Sequence, residues 1–535
     1  MTLPQPLQAQ SPLDRGLNGI AVYNPSLWND AELDLYFIAR HDILAKIVDN
    51  LKREQPGIPG QPQLILGLPG MGKTTLLRRI ALAVRQDEAL NQIWLPLSFP
   101  EEQYNIIKLK DLWLNCLVAL SELLETSGCD EEMDELDDII ASSKDLDSDE
   151  ILAILLEAAK KYNKRLLLLI DNIDLILDRL KKDHWHIREI LQAQPQLLFI
   201  GASSRAVEAT YKYDAAFYDF FNIIELKRLT LEETHNILTR LAKTFNVSRV
   251  IDIIHHQPAR INTLHTLTGG NPRTVALLFN ILSQRLDGDV RSDLEGLLDM
   301  VTPLYKSRLE ELPHASKQIV DAIALHWDPI SAKDLATKLE IPVNNISSLL
   351  SRLENNQTIE KVAPASGKRA AFQISERFFN IWYLMRASRR IRKKLMWLVY
   401  FLEMFFSAHK FEVHGQQQLK SKRSLNQRDT KYSLALGQIA SDQIKRVIKL
   451  KDSNISEKSW PEFIELFRLA IQRDKAPELL DIIDNSPAAE HWRPLREALA
   501  SIVADSVELL NGVAPEVRAP ALVLVEQLTS DIRVL

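Results

Sequence analysis

Short runs of consecutive apolar residues, each separated from the next by stretches with helical spacing, fill the first half of the chain. The runs at 63–66, 93–97, 165–170, 197–201 and 222–225 read as strands. The helical stretches between them predict a parallel sheet with helices on both faces, an α/β fold. From about Thr230 to Leu298 the pattern is helical throughout. Three short helical segments follow, "SKQIVDAIAL", "SAKDLATKLEI" (with Ser331 as N-cap) and "PVNNISSLLSRLENN". A hairpin comes next, with strands at 358–362 and 369–374 and a turn at Pro364–Gly367. After 391 helical spacing runs to the end, and 460–535 has the rhythm of helix pairs without a fixed repeat.

Composition narrows the class. At 535 residues the chain is too long for one core, and about three or four domains are expected. The net charge of −6 means that any nucleic-acid contact must come from a local basic patch. Only Cys116 and Cys129 are present, without metal-ligand or disulfide spacing, which fits a reducing cytoplasm. The opening "MTLPQPLQAQSPLDRG" lacks the layout of a signal peptide. The longest apolar run, "LMWLVYFLEMFF" (395–406), contains Glu403 and is too short for a bilayer, so a buried helix and no membrane partner are expected. The acidic stretch "CDEEMDELDDIIASSKDLDSDEI" (129–151) reads as a solvated helix pair or loop rather than a dock for a basic partner, with "DSDEI" opening the next helix.

The chemistry begins at "LILGLPGMGKTTLLRRIAL" (64–82). Gly67-Leu68-Pro69-Gly70-Met71-Gly72-Lys73-Thr74 fits G-x-x-x-x-G-K-[ST] without a mismatch, between an apolar strand and a helix that runs on through Thr75. Glycines let successive N–H groups converge on one anion, and the helix start adds its positive end. Lys73 supplies a point charge for the β- and γ-phosphates of ATP, and the Thr74 hydroxyl suits Mg²⁺. In "KRLLLLIDNID" (164–174), Asp171 ends a central strand, where a carboxylate can hold the hydration shell of the same ion.

The order of the loop, "LLLLIDNID", "LLFIGASSR" (197–205) and "TGGNPR" (268–273) resembles AAA+ and STAND-type P-loop ATPases, nearest to their Orc/Cdc6-like and archaeal-type branches. "FIARHDIL" (37–44) resembles the F-V-G-R-E-x-E-L segment of that group, with Ala39 in place of Gly, and implies that Arg40 lies near the adenine. The resemblance covers about residues 36 to 300. It implies that Ser203, Ser204 and Arg205 occupy the sensor-1 position beside the γ-phosphate, and that Arg273 opens a lid helix as sensor 2. Two departures bear on activity. Asn172 stands where the family's catalytic Glu follows the Asp; it can orient water but cannot take its proton, and Asp174 is the available substitute. The stretch "YKYDAAFYDFFNIIEL" has no Arg at the usual finger place, and its nearest cation is Lys212. A slow, nucleotide-dependent switch is therefore expected rather than a processive motor.

The resulting plan is an arm (1–35), a P-loop core (36–228), a helical lid (229–300), a winged-helix domain (301–390) and an all-α C-terminal domain (391–535). Asn344, Asn345, Ser347, Ser348, Ser351 and Arg352 on the third helix, Lys368 and Arg369 on the wing, and the basic run "RASRRIRKK" (386–394) are candidates for duplex DNA. A protein partner, met through the winged helix or the helical C-terminus, is the other reading. A signalling or antiviral-defence ATPase that oligomerises on sensing a ligand, without DNA, is the alternative function. "FFNIWYLM", just before the basic run, reads as core.

Overall fold

The computed structural model describes residues 28–99, 105–126, 130–204, 210, 213, 215–284, 288–363, 370–419, 460–486 and 489–530. They fall into two compact units. One takes in the chain up to Arg228 with Thr244–Asn246 and Asn271–Ala276; the other takes in Leu229–Lys243, Val247–Gly270 and the chain from Leu277 onward.

The first unit is built on five parallel strands, β1 (Gln63–Leu66), β2 (Trp94–Ser98), β3 (Arg165–Ile170), β4 (Leu197–Ser203) and β5 (Asn222–Glu225), in the order β2-β3-β4-β1-β5. The apolar runs form strands because both faces are covered. Leu166, Leu168, Ile170, Leu197 and Phe199 face a core shared with Trp113, Leu155, Ile176 and Ile187. Their alternates Leu167, Leu169, Leu198 and Ile200 face a second core with Ile47, Leu76 and Ile80. β5 is an edge strand and correspondingly polar, with Asn222, Ile223 and Glu225 exposed. β1 lies between β4 and β5, so the loop after it opens where the strand order reverses, at the carboxyl ends of the strands.

Part of the acidic stretch forms helix Asp130–Ser142 and the start of helix Ser148–Lys161, whose N-cap Asp147 makes a capping box with Glu150. Cys116 is buried, and burial pushes its thiol far up; Cys129 lies outside the described residues.

Among its described residues the second unit is helical apart from one small antiparallel sheet. Helix Val290–Glu310 crosses the limit expected near 300 without a break. Its capping box at Asp289 starts it, and Pro303 is accommodated inside it. Helices His314–His326, Ala332–Leu339 and Val343–Asn355 follow, with β7 (Ile359–Val362) and β8 (Ala371–Ile374) paired as the hairpin. Ser331 caps its helix as expected, accepting from Asp334 N–H. A strand of two residues, β6 (Ile330–Ser331), also pairs with β8. The turn at 364–367, Lys368 and Arg369 lie outside the described residues.

Phe378, Phe379, Ile381, Trp382 and Leu384 on helix Arg377–Arg386 are buried, as "FFNIWYLM" predicts. The run 395–406 lies in helix Arg389–Leu419, with Leu395, Leu398, Phe401 and Phe405 buried. Phe401 and Phe405 join Trp460, Phe467, Trp492 and Leu524 in the C-terminal core. Among the described residues no helix is long and apolar enough to cross a membrane.

Candidate functional site

The loop between Leu66 and Lys73 is anchored at its start, where Gly67 N–H donates to the Ser203 carbonyl at 3.2 Å across the β1–β4 pair. Two glycines then take left-handed backbone, Gly70 (φ +83°) and Gly72 (φ +87°), which side chains other than glycine rarely adopt. Gly72 is the N-cap of helix Lys73–Gln86, and a Cβ added there would meet nothing within 4 Å. Open space therefore lies over the start of a fourteen-residue helix, where the first-turn N–H groups and the helix dipole favour an anion. Met71 turns its side chain into the core and leaves only backbone to the loop.

Lys73 is buried, and its Nζ donates to the carbonyls of Gly67 (2.8 Å) and Leu68 (3.3 Å) in its own loop. Thr74 Oγ1 donates to Asp171 Oδ2 at 2.5 Å, joining the P-loop helix to the end of β3. The other oxygen of Asp171 accepts from Asn172 N–H at 2.8 Å. Asn172 has φ +48° at the N-cap position of helix Ile173–Arg179, without a side-chain capping bond, and this is a left-handed position that Asn tolerates better than Glu. Asp174, in the first turn of that helix, is buried. Thr75 and Pro69 are half-buried beside the loop. Ser203 is buried at the end of β4, and Ser204 is half-buried one residue on. Arg205 and Lys212 lie outside the described residues.

Arg40 occupies a left-handed N-cap (φ +67°), and its Nη2 donates to the Lys227 carbonyl just beyond β5 at 2.5 Å. Arg273 approaches the loop through its backbone, donating N–H to the Gly70 carbonyl at 3.3 Å. Asn271, which the motif reading passed over, also reaches the loop: its Nδ2 donates to the Pro69 carbonyl at 3.0 Å. Its sequence signal was an Asx residue directly before a Pro at a helix start, "GGNPR".

These groups fit a nucleotide phosphate chain with a divalent ion. The ammonium sits on carbonyls that a phosphate can replace, and the hydroxyl–carboxylate pair is a hard oxygen donor set. Among the described residues no group of three His, Cys, Asp or Glu side chains is placed to hold a metal by itself. A divalent ion at Thr74 and Asp171 would thus complete its shell with phosphate oxygens and water, as Mg²⁺ at phosphates does.

Residues 61–234 match the family model of the NACHT domain. No curated protein sequence matches the chain. Among solved structures, the Walker-type ATPase PABY2304 of Pyrococcus abyssi is 16% identical, with 65% of this chain and 95% of that one covered at a TM-score of 0.47. The Aeropyrum pernix ORC2 protein is 15% identical, covering 66% and 93%, at 0.45. The RuvB Holliday junction branch migration motor of Thermotoga maritima is 18% identical, covering 63% and 92%, at 0.31. At such identities and scores none of the three bears on the role of this chain. The stretch that matches the NACHT domain, residues 61–234, is the one that holds the strand, loop and helix of the P-loop geometry described above.

Proposed function

We propose that the protein is a cytoplasmic, Mg-ATP-dependent molecular switch with slow ATP hydrolysis. The observation that carries this reading is the bond between Thr74 and Asp171 beside the buried Lys73 and the open cradle at Gly72. Lys73 and the N–H groups of 67–75 hold the phosphates. Thr74 and Asp171 hold the Mg²⁺ shell, which neutralises phosphate charge when bound. Asn172 and Ser204 orient water without accepting its proton, and Asp174 is the carboxylate assigned to take it. Arg273 and, on the sequence alone, Arg205 sense the γ-phosphate; Arg40 serves the base side.

The output side is read as a winged helix (301–390) and a helical C-terminal domain (391–535) that engage duplex DNA, a protein partner, or both. Exposed Asn344, Asn345, Ser347, Ser348, Ser351 and Arg352 on helix Val343–Asn355 support a readout face. Exposed Arg389, Arg390 and Arg392 support a phosphate patch, whereas Lys394 is already paired with Glu490 and Arg386 lies over Trp382. The readout face carries one cation, Arg352, and this favours the second reading, a signalling or defence ATPase that assembles on a partner without DNA.

The test is ATP binding and steady-state turnover of the full chain, with and without duplex DNA. Lys73→Ala is expected to weaken ATP binding at least about 100-fold, roughly 2.7 kcal/mol. Unchanged binding in that variant refutes the site. DNA-stimulated turnover, with a salt slope reduced by Arg389→Ala/Arg390→Ala/Arg392→Ala, selects the first output; assembly unaffected by DNA selects the second.

A further inference from the structure

The residue that ties the phosphate loop to the segment after it is Asn271. Its side chain is buried, and both ends of its amide are engaged. Nδ2 donates to the Pro69 carbonyl at 3.0 Å, and Oδ1 accepts from Arg273 N–H at 3.0 Å. Its own carbonyl accepts from Thr274 Oγ1 (2.7 Å) and Val275 N–H (3.1 Å), which closes the first turn of helix Pro272–Gln284. The fit against the loop is close: a Cβ on Gly70 would lie 2.8 Å from Asn271 Oδ1. Arg273 N–H adds a second link, to the Gly70 carbonyl.

These contacts divide into two jobs. The Oδ1 bond is an ordinary N-cap, which Ser performs as well as Asn. The Nδ2 bond serves no helix. It fixes the Pro69 carbonyl, and with it the peptide leading to Gly70, whose left-handed backbone shapes the phosphate cradle. We propose that Asn271 is a positioning residue for nucleotide binding: its amide donor clamps the apex of the phosphate loop, so that bound nucleotide is retained only while the turn 271–275 stays docked. The inference rests on the nucleotide-site reading above and deepens it, since the clamp sets the distance between the loop and Arg273. A serine at 271 keeps a neutral acceptor for Arg273 N–H but is too short to donate to Pro69 while capping.

The experiment is stopped-flow release of a fluorescent ADP from the full chain, with melting temperature and loop amide exchange followed without nucleotide. Asn271→Ser is expected to leave the melting temperature near wild type, to speed ADP release about tenfold and to raise exchange at 70–72; tenfold is about 1.4 kcal/mol. Asn271→Ala, which loses cap and clamp together, is expected to release as fast and to melt lower. Wild-type release and exchange in Asn271→Ser, with only Asn271→Ala destabilised, reduces Asn271 to a helix cap and overturns the clamp alone. Wild-type protein that binds no nucleotide overturns the clamp and the site reading together.

Discussion

The buried ion pairs of the second unit and the buried Lys73 and Asp171 of the first are held in opposite ways. In the second unit, the buried charges meet other side chains in two-pronged geometry. Arg377 gives Nε and Nη2 to the two oxygens of Glu516, at 3.1 and 2.8 Å, and Trp327 Nε1 adds a bond to the same carboxylate. Arg260 grips Asp293 likewise, at 2.6 and 2.9 Å. In the first unit, the buried Lys73 rests on carbonyls of a loop with open space at Gly72, and Asp171 holds a threonine hydroxyl and an adjacent N–H. A carboxylate–guanidinium fork leaves nothing for a ligand to gain. Carbonyls and a hydroxyl can be exchanged for phosphate and metal-bound water at little cost. On the function proposed above, the contrast separates charge that builds architecture from charge that would meet a ligand.

The most damaging way to break that contrast is Glu516→Ala. Removing one partner of a buried pair leaves an uncompensated guanidinium and is expected to cost about 3–5 kcal/mol. Burial pushes the Glu516 carboxyl up, but Arg377 and the bond from Trp327 outweigh it and hold the carboxyl below its usual range. The pair's contribution is therefore present above the unfolded carboxylate value and lost as pH falls through the folded one. Calorimetry should resolve a large loss in melting temperature, while ATP affinity of protein still folded stays near wild type. Lys73→Ala should give the reverse. Equal damage to affinity in both variants would erase the distinction.

The next effect is a pH response. Burial, with the nearby His235 charge adding to it, pushes His265 down to about 4, and its Nδ1 lies 2.9 Å from Thr234 Oγ1. The folded state thus resists protonation. Stability is full above the unfolded value near 6.5 and falls by about 1.4 kcal/mol per pH unit as pH drops from there toward the folded value. His326 and His491 are lowered by burial in the same sense, so a variant is needed to isolate His265. His265→Asn should flatten the decline in melting temperature between pH 7 and 5; an unaltered slope assigns the decline to the other two.

What the sequence made legible follows from how far each signal reaches. Strands β1 to β4 were readable because consecutive apolar residues suit a sheet buried on both faces, and β3, "RLLLLI", is buried at every position. The loop was readable because its constraints are local: φ at Gly70 and Gly72, and the spacing to Lys73 and Thr74. β6 escaped because two residues carry no alternation. The continuity of helix Val290–Glu310 escaped because Pro303 and the start of a new pattern read as a break. The Asn271–Pro69 bond spans 202 residues, and Arg377–Glu516 spans 139; no period or motif encodes a partner at that separation.

A sharper probe of the ligand-facing charge is Asn172. Its left-handed backbone suits Asn or Asp, so Asn172→Asp supplies a carboxylate without changing the cap. If a missing base limits hydrolysis, turnover should rise about tenfold or more, and melting temperature should hardly move. Asn172→Glu should cost about 1 kcal/mol in stability from the strained backbone, whatever it does to turnover. Unchanged turnover in Asn172→Asp would move the bottleneck to nucleotide release or to a finger supplied from outside.

The smallest effect lies on the surface of the first unit, and its sign is opposite to that of His265. His186 Nε2 pairs with Asp149 Oδ1, which accepts at 2.9 Å, with Glu189 nearby, and these carboxylates raise it above its usual value against the opposing effect of burial. Its folded state binds the proton more tightly. The gain is therefore complete below the unfolded value near 6.5 and disappears as pH rises through the raised value. Because Asp149 is exposed and His186 only half-buried, solvent screening limits it to less than about 1 kcal/mol. His186→Ala should accordingly lower the melting transition of the first unit slightly at pH 6 and leave it unchanged at pH 9, and high salt should remove the difference. Mild acid would then favour the nucleotide unit marginally while it weakens the second unit through His265. A single calorimetric titration that shows both transitions falling together below pH 6.5, with His186→Ala silent, would mean that exposed charge contributes nothing measurable to the contrast.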